Sequence, residues 1–195
     1  MDRVRIVSFT ENGYQLSCRM REVIGDRAIV TGYSGRQQVA ETHPGVHPVT
    51  GGLHAWCETV FEQSEVLIFI GACGIAVRTI APFLESKYTD PAVLVADEQG
   101  RHVISLLSGH LGGANAWTLF LAEGLQADPV ITTASDVNGR LAVDVWAVRH
   151  GFRITDRTLA KYAAAVFVTG APLPFYAEPG CVDTDVLPEG FQWFE

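Results

Sequence analysis

Residues 105–115 read SLLSGHLGGAN, which gathers two hydroxyls, one imidazole, three glycines and one amide into eleven positions. The stretch follows a hydrophobic run at 103–107 and precedes a helical pattern at 114–125. Strand, glycine-rich turn and helix in that order make the place where open α/β sheets hold ligands, because helix-start N–H groups and their dipole favour an anion. Ser108, Gly109, Gly112, Gly113 and Asn115 are therefore candidate binding residues. A second turn of this kind, GACG at 71–74, leads into a helical run at 75–84 with Arg78 near its start. Gly71, Gly74 and Arg78 join the candidates. A third polar group, TTASDVN at 132–138, follows a short apolar run and supplies Thr133 and Asp136. Asp97 stands at the end of the apolar run 92–96, and Arg101 begins the next. Each has a structural reading beside the chemical one: small residues for close packing, Asp136 as a helix cap, Arg101 as a solvated strand residue.

Several elements must position these groups. Residues 3–9 and 27–31 have strand composition, with a helix between them capped by Thr10 or Asn12. Residues 65–70 and 92–96 are near-continuous apolar strands of the kind buried on both faces of a parallel sheet. The strands at 92–96 and 101–107 are separated by a short turn, so they form a hairpin or flank an insertion. Residues 141–150 form an amphipathic helix and 155–167 an alanine-rich one. Residues 32–52 lack either period and carry His43 and His47, with His54 just beyond; this is a mobile loop or a metal- or ligand-binding lid. The expected fold is α/β: a three-layer, mostly parallel open sheet with helices on both faces, residues 1–151, followed by a short incomplete segment, 152–195. The polar turns at 71–74, 105–115 and 132–138 are expected along one sheet edge, where they would line a cleft.

Composition narrows the partners. The chain has 195 residues, 48% hydrophobic and 18% charged, with a formal net charge of −8. Without a dense basic face it is not expected to bind nucleic acid. No apolar run approaches the roughly 20 residues of a membrane span, and the first residues lack a secretory pattern, so a cytoplasmic protein is expected. The four cysteines, with no CxxC pair, read as reduced thiols rather than metal ligands. Neither glycine turn has the spacing of a dinucleotide fingerprint or ends in GK[ST], which argues against a nucleotide-binding domain.

Three blocks then resemble one family in order: GACGIAVRTIAPFL at 71–84, KYTDPAVLVADEQGRHVISLLSGHLGGAN at 87–115, and PVITTASDVNGRLAVDVWAVRHG at 129–151. They are similar to the N-terminal domain of the CbiG family, the cobalt-precorrin-5A hydrolases. Residues from 152 onward resemble the beginning of that family's middle domain, and its C-terminal domain has no counterpart. The resemblance implies the anaerobic route to cobalamin: water opens the δ-lactone of cobalt-precorrin-5A, and a methylated bridge carbon leaves as acetaldehyde to give cobalt-precorrin-5B. It implies a tetrapyrrole substrate, cobalt carried by that substrate rather than by a cofactor or metal site of the protein, and contact with other cobalamin-pathway enzymes.

Under that reading the reaction needs a base, donors for an oxyanion, and cations or N–H groups for carboxylates. His110 is the candidate base, since imidazoles titrate near neutral pH. Asp97 or Asp136 is expected to orient it or to replace it. Backbone N–H groups around Gly112 and Gly113, with Ser108 and Asn115, are expected around the oxyanion or a propionate, Gly109 and Thr133 elsewhere in the substrate-binding set, and Arg78, Lys87 and Arg101 against peripheral carboxylates. A reading of another class is a non-catalytic tetrapyrrole-binding module of the same pathway. A homodimer is a further expectation, since a second copy could supply another wall for a macrocycle.

Overall fold

The structure, a computed structural model, describes residues 2–140, 142–178, 180–182 and 191–193. Cα proximity divides the chain into one unit of residues 1–131 and another of residues 132–195. The expected helix at 141–150 and the last stretch fall partly outside the described residues.

The first unit is built on seven strands: β1 (Asp2–Ser8), β2 (Ala28–Ser34), β3 (Val46–Pro48), β4 (Val66–Ile70), β5 (Ala92–Ala96), β6 (His102–Leu107) and β7 (Asp128–Val130). Their order in the sheet is β3-β2-β1-β4-β5-β6-β7. VLIFI and AVLVA, wholly apolar, form β4 and β5, and every residue in both is buried. They can occupy the centre because helices cover both faces of the sheet. One face buries Leu16, Met20 and Ile24 of α1 (Glu11–Ile24) with Leu121 and Leu125 of α5 (Ala114–Leu125). The other buries Trp56, Cys57 and Val60 of α3 (Gly52–Val60) with Ala76 and Ile80 of α4 (Cys73–Ile80). This is the three-layer α/β architecture expected from the apolar runs.

Strand direction follows from connection length. β1 to β5 are mutually parallel, each joined to the next by a crossover long enough to return to the same edge. Only residues 97–101 connect β5 to β6, too few for a crossover, and β6 is antiparallel to β5. The hairpin alternative is the one adopted. The longer connection through α5 makes β7 parallel to β6. β6 and β7 therefore run against the other five strands.

Two short elements lie in 32–52, the stretch without sequence periodicity: α2 (Gln37–Thr42) and β3. α1 starts at Thr10, whose hydroxyl accepts the Gly13 N–H at 3.0 Å, a side-chain N-cap. Among the described residues, no helix is long and apolar enough to cross a membrane.

The second unit holds α6 (Ala134–Val137), α7 (Val143–Arg149), α8 (Arg157–Thr169) and two parallel strands, β8 (Leu173–Phe175) and β9 (Phe191–Trp193). Trp146, 8% exposed, is ringed by Phe152, Phe175 and Phe191 with centroids 5.2 to 5.9 Å away. Asp156 caps α8 by accepting the N–H groups of Thr158 and Leu159.

Candidate functional site

The loop 108–113 is built by short reciprocal contacts. Ser108 takes the left-handed conformation, φ 56°, and its hydroxyl donates to the Asp90 carbonyl at 3.1 Å. The Ala114 N–H donates to the Ser108 carbonyl and the Asn115 N–H to the Gly109 carbonyl, at 3.1 and 2.9 Å. The loop thus caps α5 with its own backbone, and the Gly113 N–H is engaged by the His110 carbonyl at 3.0 Å. Two donors expected to face a ligand, the Ser108 hydroxyl and the Gly113 N–H, hold the loop together.

Its glycines are required by packing. A Cβ on Gly112 would lie 2.4 Å from the Ser108 Cβ and 2.8 Å from its carbonyl oxygen. One on Gly109 would lie 2.7 Å from Oδ1 of Asn115, which is 6% exposed and accepts the Ser105 hydroxyl at 2.7 Å. His110 lies within this turn and is half-buried.

Antiparallel β6 overturns the expectation of a single ligand edge. Gly71, Gly74 and Arg78 follow the carboxyl end of β4, and Asp97 follows that of β5. The 108–113 loop follows the end of β6, beside the amino end of β5, where Ser108 meets Asp90. His110 and Asp97 are attached to opposite ends of a six-residue strand, which spans roughly 17 Å. Asp97 therefore neither orients His110 nor shares a cleft with it. Arg101, beside Asp97 in the hairpin turn, is likewise on the far edge. Lys87, in the connection just before Asp90, is on the His110 side.

Asp97 has a clear local task. Its carboxylate accepts the N–H groups of Gln99, Arg101 and His102 at 2.8 to 3.0 Å, and His102 Nδ1 lies 3.4 Å away. Partial burial raises its pKa, and the hydrogen bonds from His102, Gln99 and Arg101 outweigh that, holding the carboxyl below its ordinary value. An acid stabilised as its anion is a weak base. In the second unit, Asp136 accepts the Thr133 hydroxyl at 2.6 Å and that of Ser135 at 3.2 Å.

The edge bearing Gly71 is the sheet's topological switch point, between β1 and β4, where doubly wound folds usually bind ligands. Here Phe9 occupies the space. A Cβ on Gly35, after β2, would lie 2.6 Å from its ring, and one on Gly71 would lie 3.1 Å from it. At the start of α1, the Thr10 hydroxyl donates to the Glu98 carboxylate at 2.6 Å, putting a negative charge at that helix end. α4 begins at Ala72 with no side-chain cap, and Arg78 Nη1 reaches the Gly74 carbonyl at 3.5 Å.

The three histidines of the lid reading go to three different places. His43 stacks on Tyr14 at 3.8 Å and meets the Glu11 carboxylate at 3.1 Å. His47 lies by Tyr33 and His54 by Phe83. Among the described residues, no three His, Cys, Asp or Glu side chains converge as metal ligands.

The sequence reading missed Ser105 and Asp90 as supports of the loop. The pairing of Asp-Pro with a following strand was a turn signal for Asp90, whereas nothing local marked Ser105 as the partner of an amide ten residues later.

Comparison with known proteins assigns this architecture. Residues 55–136 match the family described as cobalamin synthesis G N-terminal. The chain is 52% identical over 126 residues to a cobalt-precorrin-5A hydrolase of Salmonella typhimurium, covering 64% of this chain and 36% of that protein. It is 38% identical over 147 residues to a protein of the same name from Priestia megaterium, covering 75% of this chain and 39% of that one. The chain thus spans under half the length of these curated relatives. A crystal structure of a cobalamin biosynthesis protein G homolog from Sulfolobus solfataricus shares the fold, with a TM-score of 0.56 and 22% identity over 97% of this chain and 52% of that one. The match to the CbiG N-terminal family runs from α3 to α6 and includes the whole His110 loop.

Proposed function

We propose that this chain forms the N-terminal part of a cobalt-precorrin-5A hydrolase and that its reactive edge is the one bearing His110. The observation that carries the reading is the loop itself: a family-matched segment folds a histidine into a turn held by Ser108, Gly109, Gly112 and Asn115. Holding a base in one place lowers the entropic cost of reaching a reactive geometry.

In this reading His110 takes a proton from water as its oxygen adds to the lactone carbonyl. The acyl C–O bond breaks, restoring the acetate side chain as a carboxylate and leaving the former lactone oxygen on the bridge carbon as a hydroxyl. As that hydroxyl gives up its proton and becomes a carbonyl, the bond from the bridge carbon to the macrocycle breaks, its electron pair stays with the macrocycle, and the bridge carbon leaves with its methyl group as acetaldehyde. Lys87, on the same edge, pairs with a peripheral carboxylate of the macrocycle. Cobalt arrives with the substrate. A cavity of about 500 Å³ beside Asp90 is left out of the site. Glu58, Glu62 and Glu85 line it with Asp90, and these acids would repel a polycarboxylate.

The experiment is to supply cobalt-precorrin-5A to this chain and assay acetaldehyde. Release at a rate above the uncatalysed one supports the hydrolase. Tight binding with no acetaldehyde would instead support the tetrapyrrole-binding module.

A further inference from the structure

We propose that Ser105 is a positioning residue for His110, acting through the side-chain amide of Asn115; the inference rests on the assignment of His110 above. Ser105 lies on β6, five residues before His110, and its side chain is directed at α5. Its hydroxyl donates to Asn115 Oδ1 at 2.7 Å. That same oxygen lies 2.7 Å from where a Gly109 Cβ would be, so the amide fills the hollow directly beneath the residue preceding His110. The Asn115 N–H closes the arrangement by donating to the Gly109 carbonyl at 2.9 Å.

The Ser105 hydroxyl tethers the amide by donating to its oxygen at 2.7 Å. The buried amide, 6% exposed, has little room to relax sideways. Ser105 thereby holds Asn115, and Asn115 holds Gly109, the residue that precedes His110. The other supports of the loop, Ser108 on the Asp90 carbonyl and the Ala114 and Gly113 N–H groups on the Ser108 and His110 carbonyls, do not run through Ser105.

The test compares Ser105→Ala with Ser105→Thr, which restores the hydroxyl. Amide hydrogen exchange at 109–113 is expected to rise about fivefold in Ser105→Ala, the factor one ordinary hydrogen bond carries, and to return to the original value in Ser105→Thr. In the acetaldehyde assay Ser105→Ala should lower kcat by about the same factor with KM little changed, because the base is displaced while the carboxylate contacts remain. Unchanged exchange in Ser105→Ala overturns the proposal, as does an equal loss in both variants, which would mean that packing rather than the hydroxyl matters. If the unaltered chain releases no acetaldehyde, exchange at 109–113 still decides the role of Ser105, and the failure belongs to the hydrolase reading alone.

Discussion

Two strand–glycine–helix turns lie in one sheet and have opposite fates. At 71–74 the turn opens on the switch point, the usual ligand position of the fold, yet a phenyl ring from the end of β1 fills the space between Gly35 and Gly71. At 108–113 the turn faces the other edge, caps its helix with its own carbonyls and contains a histidine. The first has the general architecture of a binding site and the second holds the residue proposed as the base. Under that proposal, fold-level position does not by itself mark the reactive edge.

The sharpest way to break that contrast is to remove one side chain from each edge. His110→Ala is expected to lower acetaldehyde release about 100-fold or more, the contribution of a positioned general base. Phe9→Ala should change it less than about twofold. Steady-state rates would show it; the reverse pattern would move the site to the switch point.

Adding a methyl group on each edge tests how tightly each is built. Gly112→Ala should cost about 2 to 3 kcal/mol, because the new Cβ meets the Ser108 Cβ and carbonyl, which cannot swing away. Gly35→Ala meets the edge of the half-buried Phe9 ring, which can turn aside, and should cost about 1 kcal/mol or less. Thermal denaturation of the two variants reads the difference directly.

Asp97→Ala gives a smaller effect with a pH signature. Three N–H groups lose their acceptor, and with the carboxylate 40% exposed to screening solvent the cost at neutral pH is about 1 kcal/mol. The folded-state pKa is lowered, so the carboxylate stabilises the fold above its unfolded value, near pH 3.9. That stabilisation is lost as the pH falls through the lower folded-state value. Urea midpoints measured down the acid limb should converge for the parent and Asp97→Ala; a gap that stays constant would mean the turn needs the side chain and not its charge.

Much of this scaffold was legible in the sequence. The apolar runs at 66–70 and 92–96 could only be central strands, and Thr10 marked the start of α1 by its side-chain chemistry. α2 and β3, six and three residues long, are too short to impose a period, and they passed unseen in the 32–52 stretch. The candidate residues were recognisable by type, whereas their grouping was not. Whether 97–101 closed a hairpin or led into a crossover decided which edge received His110, and residue composition alone left both open. Ser105 and Asn115 meet only because α5 folds back along β6, a tertiary event with no local trace.

The central place of β1 has a consequence for how the molecule can be cut. The family-matched residues, 55–136, contain β4 to β7 but not the strand between β2 and β4. Excised on their own, they would present VLIFI, buried on both faces in the full sheet, as a bare hydrogen-bonding margin. Such a margin recruits other chains. The sequence-matched region is therefore an incomplete sheet: β1 covers its β4 margin, and a fragment lacking β1 is expected to precipitate rather than display the His110 loop.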